Sequence, residues 1–525
     1  MVKDMDTAPA IAAIDIGTNS VHMVVARRLD GGAPEILTRE KEPVRLGRGS
    51  TDMKRLEPAA IDRTVAALDR FRRIADAHDA DVVAVATSAV REAENQGDFL
   101  RRARADAGID VSVISGVEEA RLIHLGALGA VQAAGRPHLV IDIGGGSTEF
   151  IAGRSTTPSL IRSLKLGHIR LTDRYFPNGV VTKKAVAECR KYVRAFVAPV
   201  AREITDLGFE VVIGCSGTIE NLARMAAHDQ GDTPRTVDNL IVTRDGLAKV
   251  VTQLLATEDA DERRSFAGLD PHRADVIVGG AILLRQLVTS LGIDEMVVSP
   301  AALREGVVLD RFRRLDSSSD ALHHLTDIRR SSVIGLAKRF EEDLGHAQHA
   351  TDLSLELFDA LQPVHGLGEA ERTILEAAGM LHNVGRFIAH AAHHKHSYYL
   401  IRHSEHLAGF TEQEIELIAQ VARYHRKSNP RNKHQEFATL AEYDQRAVRV
   451  LAGLLRIAIA LDRTYLRAVE RVTACLDDEL TISLSTQPNA DLELELFTAR
   501  ERAGLLSLAL GTKIAFVVND QGSPP

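Results

Sequence analysis

Residues 13–20 read AIDIGTNS and residues 140–147 read VIDIGGGS. Each is a short apolar strand that runs into an Asp-x-Gly turn. A second apolar run follows each one, VHMVVAR (21–27) after the first and TEFIAG (148–153) after the second. Strand, glycine-rich turn, strand predicts a β-hairpin whose turn brings backbone N–H groups close to an anion. Glycines alone would describe plain turns. The matched apolar strand, aspartate and closing serine at both places instead mark a repeat, and two hairpins about one small domain apart predict two similar halves.

Outward from the hairpins, strand and helix patterns alternate. Residues 58–78 place Ile61, Val65, Leu68, Phe71 and Ile74 on one helical stripe with Pro58 in the first turn. DVVAVATSAV (81–90) and VSVIS (111–115) read as buried strands and 117–130 as a helix. In the second half 182–206, 218–227 and 274–288 read as helices, and EVVIGCSG (210–217) and EMVVSP (295–300) as strands. This is an α/β pattern in both halves. The polar, serine-rich stretch RFRRLDSSSD (311–320) reads as a linker. Beyond it the pattern is helical to about residue 470. After residue 476, LTISLST (480–486) and LELELF (492–497) alternate as half-buried strands, followed by a helix and a strand in a small α+β cap.

Bulk properties narrow the function classes. A chain of 525 residues is expected to hold three or four domains. With 45% hydrophobic and 26% charged residues it reads as a soluble globular protein. Three dispersed cysteines (Cys189, Cys215, Cys475) exclude a disulfide scaffold and suit a reducing cytoplasm. The N-terminal apolar run is broken by Asp15 after five residues, so neither a signal peptide nor a membrane span is expected. A net charge of −8 gives no global attraction to nucleic acid, so a polyanionic ligand must be met by local basic clusters and backbone dipoles.

Splitting a phosphoanhydride needs an anion cradle, a metal to neutralise phosphate charge and a carboxylate to deprotonate water. The hairpin turns are the natural cradle, with Gly17, Thr18, Asn19 and Ser20 on one side and Gly144, Gly145, Gly146, Ser147 and Thr148 on the other. Asp142 enters the second turn and Glu149 leaves it, oxygen donors of the kind Mg²⁺ prefers, although Asp142 could also simply cap the turn. Asp15 is the matching acid of the first turn. Glu118 and Glu119 both open a helix, where acids complement the dipole. Ser216-Gly217-Thr218 ends a strand and opens a helix, a place for an anion or a plain N-cap. Arg91 follows an apolar strand at an expected cleft rim, where it can grip phosphate bidentately or pair with Glu92 or Glu94.

The ordered segments DIGTNS (15–20), ATSAVREAEN (86–95), ISGVEEARLI (114–123), DIGGGSTEF (142–150), KLGHIRLT (165–172), GCSGT (214–218) and SPAALREGV (299–307) together resemble the exopolyphosphatase / guanosine pentaphosphate phosphohydrolase (Ppx/GppA phosphatase) family. The likeness runs continuously over about residues 10–310 and more weakly beyond. It implies two ribonuclease-H-like halves, as in actin and sugar kinases, over 1–130 and 131–312. A degenerate, all-α HD-like domain (321–475) and a small α+β cap (476–525) would follow. It further implies a Mg²⁺-dependent exopolyphosphatase that releases orthophosphate from chain ends, with guanosine pentaphosphate hydrolysis as the alternative and a non-catalytic sensor behind both. Asp142 and Glu149 fall on the family's metal positions, with Asp15 reaching the ion through water. Glu119 falls on the general-base position, Glu118 being the adjacent alternative, and Arg91 falls on a phosphate-binding arginine. Dimerisation is implied as well.

Fourteen of the 21 histidines lie between 323 and 434. The order His346, His382-Asn383, His393-His394, His425, Asp462 resembles the HD metal-phosphohydrolase domain, but Asn383 stands where the aspartate ligand belongs, so a retired HD scaffold is expected. RYHRKSNPRNKH (423–434) is the densest basic stretch. It reads either as a solvated face or as a track for polyphosphate, with Arg426 and Lys427 as contacts.

Overall fold

In the computed structural model both quoted stretches are hairpins. β1 (Ala10–Ile16) pairs antiparallel with β2 (Ser20–Arg27), and Gly17 N donates to Ser20 O at 3.1 Å across the turn. Likewise β6 (His138–Ile143) pairs with β7 (Thr148–Gly153), and Gly144 N donates to Ser147 O at 3.0 Å. The structure describes residues 9–518 except 30–33, 48–53, 132, 134, 157, 317–320, 341–343, 477–478 and 489. The chain divides into two units, Met1–His324 and Leu325–Pro525.

The first unit holds two sheets. With β3 (Glu35–Pro43), β4 (Ala80–Ala86) and β5 (Val111–Val113), the first runs β3-β2-β1-β4-β5. With β8 (Pro158–Leu164), β9 (Val211–Cys215), β10 (Ile241–Thr243) and β11 (Glu295–Val298), the second runs β10-β11-β9-β6-β7-β8. From one edge, β3-β2-β1-β4-β5 and β8-β7-β6-β9-β11 match in order and direction: an antiparallel meander, then parallel strands. The repeat in sequence is therefore a repeat in topology, the arrangement of the actin and sugar-kinase halves.

Strand period decides where the acids point. Ala10, Ala12, Ile14 and Ile16 face the core of the first half, while Ile11 and Ala13 face a layer shared by both halves. Leu139, Ile141 and Ile143 face the core of the second half, and Val140 faces the shared layer. Asp15 and Asp142 continue the inward-facing rows at the strand ends. Two helices, Gly116–Ala130 and Leu303–Asp316, fill the shared layer through Ala120, Ile123, Ala127, Leu303, Val307 and Phe312. They cross closely: a β-carbon on Gly126 would fall 2.1 Å from Ala302 O, and one on Gly306 would fall 1.9 Å from Leu122 O.

Two sequence readings change. Residues 311–316 are not linker but the end of helix Leu303–Asp316, because buried Val307, Val308 and Phe312 carry the helix through the charged letters; the rest of that expected linker, 317–320, lies outside the described residues. LELELF is not a strand: Glu493–Arg502 is a helix that exposes Leu494 and Phe497 and buries Glu495 and Ala499. Glu495 Oε1 is engaged by the Thr464 hydroxyl at 2.6 Å, so a tertiary partner overrides the alternation.

The second unit packs helices that include Gly345–Ala360, Glu369–Leu381, His393–Arg402, Glu412–Arg423 and Glu442–Leu461 around one core. The cap contributes Ile482, Leu484, Leu505 and Leu506 to this same core, so it depends on the helices for burial. The cap sheet, β12 (Val469–Leu476), β13 (Leu480–Thr486) and β14 (Ile514–Val518) in that order, begins earlier than the expected 476. No helix among the described residues is long and apolar enough to cross a membrane.

Candidate active site

Both hairpin turns open on one cavity of about 310 Å³ in the first unit. Gly17, Thr18, Asn19 and Ser20 line it from the first turn and Gly144, Gly145 and Ser147 from the second, together with Asp15, Asp142, Glu119, Ser216 and Gly217. Gly146, Thr148 and Thr218 are not on the wall. Gly146 O accepts from Arg170 Nε at 2.6 Å, Thr148 is fully buried, and Thr218 Oγ1 lies 3.2 Å from His168 Nδ1. The two turns touch: a β-carbon on Gly145 would fall 2.9 Å from Thr18 Cβ, and one on Gly167 would fall 2.3 Å from Gly145 O. Only glycine permits that approach. Ser216 holds a left-handed φ of 74°, and its hydroxyl donates to Ile143 O at 2.7 Å. A non-glycine residue in that region stores backbone strain, here at a cavity wall.

Strand register sets the acids. Across the first sheet Lys41, His22, Asp15 and Val85 are successive partners, and across the second sheet Ser163, Glu149, Asp142 and Cys215 occupy the corresponding places. Glu149 is 1% exposed and lies behind the wall, where it accepts from Ser163 Oγ at 2.8 Å.

Glu119 comes from the first turn of helix Gly116–Ala130, which Ser115 caps by accepting from Glu118 N at 3.1 Å. The two adjacent acids part company there. Glu118 takes a two-pronged ion pair from Arg121 at 2.7 Å, and Arg121 also reaches Asp310 at 2.9 Å on the crossing helix. Glu119 faces the cavity, with Arg91 Nη1 3.1 Å from its Oε2. The same Arg91 nitrogen donates to Ile114 O at 2.7 Å, and Arg91 stands behind Glu119 instead of on the wall.

Burial and crowding raise the carboxyls of Asp15, Asp142, Glu149 and Glu119. Burial pushes Asp15 up to about 7 against the pull of Arg304. Burial and the Glu119 charge push Asp142 up to about 7. Burial, then Glu119 and Asp142, hold Glu149 well above the usual range, and burial raises Glu119 against Arg91. Four oxygen-donor acids gathered in one buried place suit a hard cation, whose charge would relieve their repulsion.

Sequence reading missed the basic side of the cavity. Arg39, Lys41, Arg273 and Arg304 line it. Arg304 Nη1 donates to His22 Nδ1 at 3.1 Å, leaving His22 to meet Ser20 Oγ through Nε2 at 2.7 Å. Arg273 lies against Gly217, where a β-carbon would fall 2.2 Å from its guanidinium. Arg304 sits inside SPAALREGV, and His168, also on the wall, sits inside KLGHIRLT, so those two carried a signal. Arg273 carried none.

In the second unit His346, His382, Asn383, His393, His425 and Asp462 converge on a cavity of about 130 Å³, the HD-like arrangement. The basic stretch is not one solvent-facing row. Arg423 pairs with Glu436 at 3.0 Å, Arg426 turns into this histidine cavity, and Lys427 is exposed.

The model of the Ppx/GppA phosphatase family matches residues 24–315, and that of domain III of the Ppx/GppA phosphatases matches 328–500. A guanosine-5'-triphosphate,3'-diphosphate pyrophosphatase of Photobacterium profundum is 31% identical over 455 residues, 86% of this chain and 87% of that protein. One from Vibrio atlanticus is 29% identical over 506 residues, 94% of this chain and 96% of that protein. Among solved structures, an exopolyphosphatase from Cytophaga hutchinsonii is 31% identical with a TM-score of 0.54, covering 57% of this chain and 97% of its own. An Aquifex aeolicus member of the Ppx/GppA family is 26% identical with a TM-score of 0.50, covering 58% and 97%.

Proposed function

We infer that this chain, which belongs to the Ppx/GppA phosphatase family, hydrolyses the terminal phosphoanhydride of inorganic polyphosphate and releases orthophosphate. The observation that carries the reading is the cavity itself. Two glycine-rich turns meet there, and Asp15, Asp142 and Glu119 share its wall with Arg39, Lys41, Arg273 and Arg304.

A divalent cation, Mg²⁺ in this reading, would neutralise phosphate charge when bound by Asp142 and Glu149, with Asp15 acting through water. Among the described residues no three His, Cys, Asp or Glu side chains form a ready-made cage. Mg²⁺ keeps several waters and takes one or two carboxylates plus phosphate oxygens. The chain's own groups do the rest. Backbone N–H groups of the two turns hold phosphate oxygens. Glu119 orients water and takes its proton, and Arg91 positions Glu119 through the 3.1 Å contact. The basic wall receives the phosphates that follow.

A second reading, hydrolysis of guanosine pentaphosphate in the same site, is favoured by the names of the Photobacterium and Vibrio relatives. Phosphate release from polyphosphate and from guanosine pentaphosphate, each with and without Mg²⁺, separates the two. Release from the nucleotide alone would replace the first reading with the second, and release from neither would end both.

A further inference from the structure

The second unit holds its own cavity of about 130 Å³. Its wall holds His382 and Asn383, each 1% exposed. His382 Nε2 and both polar atoms of the Asn383 amide lack a hydrogen-bond partner. Buried polar atoms left unpaired cost free energy, and three of them on one cavity wall mark where a polar guest belongs.

The other lining residues give the sign of the guest. Arg386, Arg426, Arg463 and Arg502 surround the cavity, and none is ion-paired to a carboxylate among the described residues. Arg386 donates to Tyr465 Oη at 2.7 Å and Arg426 to His393 Nδ1 at 3.1 Å. Asp462 is the one acid among the described lining residues, and it is already occupied by His346 Nδ1 at 2.7 Å and Arg467 N at 3.0 Å. The guanidiniums sense one another: burial, then the charges of Arg463 and Arg426, hold Arg502 below its ordinary range. A cation entering here would meet four positive neighbours, whereas an anion would meet four forked donors.

The unpaired atoms narrow the anion further. His382 Nδ1 lies 2.6 Å from Gly379 O and donates to it, so Nε2 presents a lone pair. Asn383 offers an acceptor oxygen and a donor nitrogen. Arginines need anionic oxygens, while Nε2 and the amide oxygen need an acidic hydroxyl. Dihydrogen phosphate, with two anionic oxygens and two P–OH groups, supplies both.

We propose that this cavity is a binding site for orthophosphate, formed from a retired HD centre in which Asn383 and four arginines replace metal-binding character. Its physiological meaning, sensing of the released product, rests on the activity inferred above; binding itself does not.

The chain contains no tryptophan, so Tyr465→Trp in the full-length protein places a single indole, excited apart from the tyrosines, on the cavity wall. Titration with orthophosphate should saturate the signal, and sulfate, which carries no proton at neutral pH, should bind about tenfold or more weakly because Nε2 and the amide oxygen stay unpaired. In the same background Arg463→Ser with Arg502→Ser should raise the Kd about 100-fold, about tenfold for each charge-assisted hydrogen bond removed. Asn383→Asp, which keeps the volume and adds a negative charge, should raise it at least about tenfold. Tripolyphosphate tells free orthophosphate from a chain end: tighter binding than orthophosphate would overturn the assignment. No response to phosphate, equal affinity for sulfate, indifference to Asn383→Asp, or a stoichiometric transition metal on the histidines would also overturn it. None of these readouts uses phosphate release, so failure here and failure of the proposed reaction are separate results.

Discussion

Replacing Glu119 by Gln keeps the side-chain shape and a neutral oxygen for Arg91 but removes the ability to take a proton. Loss of a general base typically costs ~10²–10⁴ in rate, about 3–5 kcal/mol of barrier. The same substitution removes a charge that pushes up Asp15, Asp142 and Glu149. An anionic substrate then meets less repulsion, so KM should hold or fall while kcat collapses. The control is its neighbour. Glu118→Gln removes one of the two carboxylates paired with buried Arg121, which keeps Asp310, costing up to about 3 kcal/mol of stability, yet turnover per folded molecule should stay within a few fold. The assay is initial phosphate release from polyphosphate at saturating Mg²⁺, normalised to folded protein by thermal melts. Glu119→Gln retaining more than about a tenth of wild-type kcat, or Glu118→Gln losing kcat as deeply, would refute the assignment of the base.

Gly167→Ala should push Gly145 back by overpacking, costing about 1–3 kcal/mol, and part the two turns, which a lower melting temperature together with a raised KM would report. His382→Ala should leave Mg²⁺-dependent phosphate release nearly unchanged, since Asn383 argues against a catalytic metal there; complete loss in a variant that still folds would contradict this. His124 is fully buried against His138, and burial, then His138, pushes its pKa down to about 3. The unfolded chain therefore binds the extra proton below about 6.5, so this contribution is whole at neutral pH and is lost as pH falls, about 2 kcal/mol by pH 5. His124→Leu should lose correspondingly less stability between pH 7 and 5 in denaturant titrations, and an unchanged slope would exclude the histidine as the cause.

The hairpins, their repetition and the place of Asp15 and Asp142 at the turn entries were legible because strand pattern and turn chemistry are local. The choice between Glu118 and Glu119 was not: both fit a first helical turn, and what claims Glu118 is Arg121 of the same helix, itself held in place by Asp310 on the crossing helix. Arg273 was invisible for the same reason, its place at the cavity depending on a bare Gly217 some 56 positions earlier. LELELF misled because alternating letters describe a strand only when alternate residues are buried, and here Glu495 is buried while Leu494 is not.

The two corresponding rows, Lys41-His22-Asp15-Val85 and Ser163-Glu149-Asp142-Cys215, show how a doubled fold acquires direction. Identical halves would make a cleft with no preferred end. Here aspartate is kept at one shared place, and the copies differ beside it: histidine and lysine in one, glutamate and serine in the other. One half therefore brings the Lys41 ammonium to the cavity wall, while the other sets the buried Glu149 beside its aspartate. A uniform chain of phosphates, which carries no polarity of its own, would meet different charges from the two halves. Four side chains, and not the shared backbone, make the two halves unequal.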